Sequence, residues 1–161
     1  GWKVGKSAGY TDDNAPYYDN GSYTKYTSDG EILKAADDAA NVILGGDWQL
    51  PTKKIWVNLK EACRTSNYSA YFTPIDGCKG CQVKRMTGNI QYIFLPAAGR
   101  IHGTTFRSVN FGVTYWSGTV TADRNNCAYG LNFSSNYVGV QDYDWRYEGS
   151  SVRPVRLVAV D

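Results

Sequence analysis

Residues 51–63 read Pro51-Thr-Lys-Lys-Ile-Trp-Val-Asn-Leu-Lys-Glu-Ala-Cys63, and at Cys63 the grammar of the chain changes. Ile55, Trp56, Leu59 and Cys63 fall on one stripe at helical spacing, and Thr52 has the right side chain and position to cap a helix near 53–63. Beyond Cys63 come short apolar runs broken by Gly, Asn and Ser: QVKRMT, YIFLP, VTYWSG, AYGLNF, YVGVQ and VRPVRLVAV. They alternate or stay continuously apolar over five or so residues, which is the signature of strands. Helix early and strand late gives an α+β domain.

Upstream, Glu31 to Leu44 (EILKAADDAANVIL) is expected to be a second helix, with Ile32, Ala35, Ala36, Ala39, Ala40 and Ile43 on one face and Gly45-Gly46 as its stop. Residues 1–30 have no clean period. Tyr10, Tyr17, Tyr18, Tyr23 and Tyr26 are expected to pack as an irregular layer, ring inward and hydroxyl at the edge. No tandem repeat or flexible linker divides the chain, so residues 1–161 are read as a single domain. The opening GWKVGKSAGY has no apolar h-region and reads as the start of a mature or excised domain.

Composition narrows the function classes. The chain has 161 residues, a net charge of +2, 20% charged residues and 14% aromatics, with 13 tyrosines. That aromatic content rules out a disordered chain. The low net charge argues against nucleic acid as a partner, and no apolar run is long enough for membrane insertion. One histidine, His102, leaves no multi-histidine metal site and no triad that spacing can identify. Cysteines stand at 63, 78, 81 and 127, and Cys78-Lys-Gly-Cys81 is a C-x-x-C. Gly77 and Gly80 suggest a turn there, rather than the helix start that redox chemistry uses. The leading expectation is one or two structural disulfides in an oxidising compartment, with inert free thiols or metal and redox work as alternatives.

Four phrases then occur in order: Gly46-Asp-Trp-Gln-Leu-Pro-Thr52, Ile93-Phe-Leu-Pro-Ala-Ala-Gly99, Tyr115-Trp-Ser-Gly-Thr119 and Ser151-Val-Arg-Pro-Val-Arg156. Each has a physical reading of its own. Trp48, Leu50 and Trp116 serve as core anchors, Pro96 ends a buried strand, and Arg153 and Arg156 are placed to pair with Asp47 or other carboxylates. Together, over residues 30–160, they resemble the Fibrobacter succinogenes major paralogous domain family, abundant in Bacteroidetes surface proteins. The resemblance implies a C-type-lectin-like fold, shared with formylglycine-generating enzymes and with the variable proteins of diversity-generating retroelements.

Residues 120–149 are a different kind of sequence, dense in Asn, Ser, Asp and aromatics. In AYGLNFS the large set Tyr129, Leu131 and Phe133 should face the core, leaving Ala128, Gly130, Asn132 and Ser134 on the other side. Asp142-Tyr-Asp-Trp-Arg-Tyr-Glu148 interleaves aromatics with charges, so several of its groups should be exposed. Exposed Tyr, Trp and Arg beside small polar residues make adaptable binding surfaces. The alternative is a decorated edge with Trp145 and Tyr147 folded back into the core. The candidate ligand-binding residues are Asn132, Ser134, Asn136, Tyr137, Gln141, Asp142, Tyr143, Asp144, Trp145, Arg146 and Tyr147. By the codon logic of retroelement diversification, the resemblance implies variable positions at Asn136, Tyr137, Asp142, Tyr143, Asp144, Arg146 and Tyr147. Gln141, Trp145 and Glu148 fall outside that logic.

The resulting expectation is a non-catalytic adhesin or receptor-binding domain, presenting this surface to a protein or glycan ligand. The site would be extracellular, at a cell surface or on a virion. No catalytic residue, metal ligand or cofactor is expected, and the loops of calcium-dependent lectins do not occur. A structural module of a larger surface or phage protein and a relative of the formylglycine-generating enzymes are the alternatives.

Overall fold

The structure is a computed structural model that describes residues 9–63, 68–89, 91–121, 124 and 126–156, with backbone only for 68–71 and 141–143. Among the described residues strands dominate, almost all antiparallel, and the two α-helices lie before residue 63. After a 3-10 turn at Asp12–Asn14 come β1 (Tyr18–Asp19) and β2 (Ser22–Tyr23), a short hairpin. Helix α1 (Ala39–Leu44), β3 (Trp48–Gln49) and helix α2 (Lys53–Ala62) follow. Then come β4 (Tyr68–Ile75), β5 (Cys78–Arg85), β6 (Tyr92–Pro96), β7 (Arg100–His102) and β8 (Thr105–Arg107). The chain continues through β9 (Gly112–Val120), β10 (Cys127–Ser134), β11 (Tyr137–Trp145) and β12 (Val155–Arg156).

Helix α2 forms where its stripe and cap indicate. The Thr52 hydroxyl accepts from the Ile55 N–H at 3.3 Å. Trp56, 2% exposed, drives the helix into the core and donates from Nε1 to the Trp116 carbonyl. The helix expected over 31–44 is cut to its last six residues. Backbone groups of residues 31–33 are taken by β9 instead: Leu33 N–H donates to the Gly118 carbonyl and Val120 N–H to the Glu31 carbonyl. Asp38 then starts α1, its Oδ1 accepting from Ala40 N–H and Asn41 N–H while Oδ2 accepts from Leu50 N–H. Of the six residues assigned to the apolar face only Ala40 is buried, and Ile32 and Ile43 are exposed.

Two three-stranded meanders form the body, β4-β5-β6 and β9-β10-β11. The β4–β5 turn is Asp76-Gly77, both at positive φ, as a two-residue hairpin of this twist requires. The C-x-x-C therefore lies along a strand, not at a helix start. Residues three apart on a strand face opposite sides, so Cys78 is exposed while Cys81 is buried in the core. All four cysteines are free thiols, contrary to the disulfide expectation.

Trp56, Cys81, Val83, Leu95, Tyr115, Leu131 and Phe133 pack between α2 and the two meanders. Leu131 and Phe133 point inward as alternation requires. Between Ala128 and Gly130 the register slips against both neighbours. On the β9 side the extra residues bulge toward the first half of the chain, where Gly118 N–H reaches the Pro51 carbonyl. At Gly130 a Cβ would sit 2.6 Å from Thr114 Cγ2, so only glycine lets the strands close there.

The four phrases meet in space. Trp48 and Gln49 pair with Arg156 and Val155, Trp116 N–H donates to the Ser151 carbonyl, and the Tyr115 hydroxyl donates to the Pro96 carbonyl. Among the described residues Arg153 and Arg156 form no ion pair with Asp47.

Candidate binding sites around a buried charge network

β7, β9 and the end of β11 bring four ionisable side chains together inside the protein. Asp144 is 2% exposed and Glu148 4% exposed. Arg100 Nη1 stands 3.1 Å from Asp144 Oδ1 and 3.3 Å from Glu148 Oε2. His102 Nδ1 stands 3.0 Å from Glu148 Oε1. Thr114 donates to Asp144 Oδ1 at 3.4 Å and accepts from Asn132 at 2.9 Å. Burial pushes the Asp144 carboxyl up to about 6, opposed by Arg100 and reinforced by the Glu148 charge. Asp144 Oδ2, Glu148 Oε2 and Ser150 Oγ are buried without a hydrogen-bond partner among the described residues, an expensive condition for polar groups.

Members of this network line three concave regions. On one side a cleft of about 370 Å³ is lined by Asn132, Ser134, Asp144, Arg100 and Thr114, with Phe111 beside them. On a second side Glu148 and Ser150 line a chamber of about 300 Å³ walled by Tyr10, Tyr17, Tyr23, Tyr26 and Trp116. On a third, His102 and Tyr147 line a cleft of about 320 Å³ with Tyr10 and Asp12.

The residues expected to bind ligand are thus divided. Asn132, Ser134 and Asp144 share the first cleft. Asn136 and Tyr137 lie at the exposed β10–β11 turn, where the Ser134 hydroxyl donates to Asn136 Oδ1. Trp145 is 41% exposed and packs against His102 and Tyr147, ring centroids 5.5 and 5.3 Å away. Gln141, Asp142 and Tyr143 have side chains outside the described residues. Exposure fails for the rest of the run. Tyr147 is 8% exposed and buried next to Tyr23 and Ala15, its hydroxyl pushed up to about 12. Arg146 is half-buried against the N-terminal tyrosines. Charges and aromatics were expected to be incompatible inside, but here the charges pair with one another and with backbone carbonyls, so both sets fit.

Arg100, His102, Thr114 and Glu148 were not singled out as binding residues. Arg100, His102 and Thr114 lie 18–48 residues from the partners they meet, and no local pattern marks them. The tyrosine excess was the one available signal for the chamber, since four of the five early tyrosines converge there.

Among the described residues no three His, Cys, Asp or Glu side chains gather as a metal set. No helix among them is long and apolar enough to cross a membrane. No family model, curated protein or solved structure matches this chain.

Proposed function

We propose that the protein is a non-catalytic ligand-binding domain of the C-type-lectin-like fold, working at a cell or virion surface on a protein or glycan ligand. The observation that carries this reading is the cleft in which Asn132, Ser134 and Asp144 stand beside Arg100. It combines donors, acceptors and, among the described residues, a buried carboxylate oxygen with no hydrogen-bond partner, held on a sheet, the arrangement that fixes a ligand's orientation. The meeting of the four phrases supports the fold assignment: the first and third each meet the last through backbone pairing, and the second meets the third through the Tyr115 hydroxyl. Two of the four thiols stand in surroundings unsuited to nucleophilic chemistry: burial pushes Cys81 up to about 11 and Cys63 up as well, away from the thiolate.

Burial narrows the positions open to retroelement diversification. Asp144 and Tyr147 sit inside and Arg146 ties down the N-terminal layer, so free variation there would cost the fold. Asn136 and Tyr137, at the exposed β10–β11 turn, remain as positions for it. The exposed run Val42, Ile43 and Leu44 on α1, 50–79% exposed, favours the second reading, a module packed within a larger surface or phage protein.

The test is a screen of the immobilised domain against a glycan array and a displayed-peptide library, repeated with Asn132→Ala and Ser134→Ala. Hits lost in both variants, with melting temperature within a few degrees of the parent, are the expected result. Hits that both variants retain remove the cleft as the site.

A further inference from the structure

We propose that the tyrosine-walled chamber is a second binding site, separate from the β10 cleft, for a neutral hydroxyl-bearing ring of one or two sugar units. Its volume of about 300 Å³ is at the small end of small-molecule pockets, ~300–1,000 Å³. Tyr23 and Tyr26, each 3% exposed, form the floor, and Tyr17, 43% exposed, and Val152, 39% exposed, stand at the mouth. Aromatic faces of this kind take the C–H face of a ring.

The chamber is held in shape by strained backbone. Tyr17 and Tyr26 have φ of +62° and +58°, a left-handed conformation costing a bulky residue ~1–2 kcal/mol each. Both hydroxyls donate to the Asp37 carboxylate, which also takes Lys25. Strain kept at two lining residues, and fixed by one shared acceptor, is the mark of a site shaped for an occupant rather than a packing accident.

Charge decides the class of occupant. Among the described residues each charged group of the lining is already engaged: Asp37 pairs with Lys25, Glu148 with Arg100 and the His102 ring, and the Arg146 guanidinium with the Tyr23 face and two backbone carbonyls. None is left free to attract an ion. What remains unmet in the lining is Ser150 Oγ, without a hydrogen-bond partner among the described residues. It calls for a hydroxyl on the ligand, and the rings call for the ligand's apolar face. A saccharide carries both.

Saturation-transfer NMR on the whole chain with methyl α-mannoside, methyl β-glucoside, methyl β-galactoside, N-acetylglucosamine, lactose and cellobiose tests this. At least one of these should give transfer, with glucosamine and glucuronate at least tenfold weaker. Ser150→Ala and Val152→Trp, which deletes the unpartnered hydroxyl and fills the mouth, should each weaken the bound sugar tenfold or more without shifting the melting temperature beyond a few degrees. Silence across the whole panel overturns the proposal, as does binding unchanged in both chamber variants. Equal binding of the charged sugars removes the neutral-ligand assignment. A sugar lost in Asn132→Ala and Ser134→Ala but kept in the chamber variants belongs to the β10 cleft and removes the second site.

Discussion

The Arg146 guanidinium lies over the Tyr23 ring, 4.0 Å from carbon to centroid, and so joins the end of the β11 segment to the N-terminal layer. Its Nη1 donates to the Tyr26 carbonyl at 3.1 Å and Nη2 to the Lys25 carbonyl at 3.0 Å. One planar fork thus satisfies two backbone acceptors and covers an aromatic face, across 120 residues of sequence. Burial lowers the affinity of this guanidinium for its proton, yet its partners keep it in place. The chamber floor depends on that contact.

Arg146→Ala removes two charge-assisted hydrogen bonds and a cation–π contact. A loss of about 2–4 kcal/mol is expected, since bonds to charged groups contribute ~1.5–3 kcal/mol each and part of that is recovered by water. Arg146→Lys keeps the charge without the fork and should recover little of it. Urea denaturation measures the loss, and limited proteolysis should show faster cleavage within residues 10–30. A variant as stable and as resistant as the parent would show that the layer is held by other contacts.

Asp38, 4% exposed, is the second tie between distant segments. It accepts from three backbone N–H groups, two at the start of α1 and one at Leu50. Asp38→Ala leaves buried donors unmet and should cost about 2–3 kcal/mol, a fall in melting temperature of about 5–10 °C for a chain of this size. Asp38→Asn should fall between the two, because its amide NH₂ would face one of those donors instead of accepting from it. Differential scanning calorimetry of the three proteins gives the order, and an Asn variant as stable as the parent contradicts the geometry.

What the sequence disclosed, and what it hid, follows from the range of each interaction. α2 was legible because Thr52, Trp56 and Leu59 act within one helix and its cap. β5, β6, β9, β10 and β11 were legible because alternation is a property of neighbours. α1 was over-extended because Ile32, Ala35 and Ala36 fit a helical period, while the backbone of 31–33 was already taken by a bulge at Ser117–Thr119. The charge network was invisible for the same reason: Arg100 and Asp144 are 44 residues apart, and neither has a local pattern that marks it as buried. Placing Tyr147 at the surface assumed that Asp144 and Glu148 stay wet. Arg100 and His102, which compensate them inside, remove that assumption.

Asp144 gives the network a pH dependence whose sign is fixed. Its carboxyl is raised from an ordinary 3.8 to about 6 in the folded protein, chiefly by burial, so the folded state binds the proton more tightly than the unfolded chain. The stability this contributes is fully present below about pH 4 and is lost as pH rises through about 6. The titratable and charged groups facing it are Arg100 and Glu148, with His102 behind Glu148. In Asp144→Asn the proton is no longer exchanged, so this fall should be absent from the variant and should appear as a difference between variant and parent that changes between pH 4 and 6. Paired thermal melts at half-unit steps from pH 4 to 7.5 measure it. A difference that stays flat across that range would show that Asp144 is ionised throughout and that Arg100 outweighs its burial.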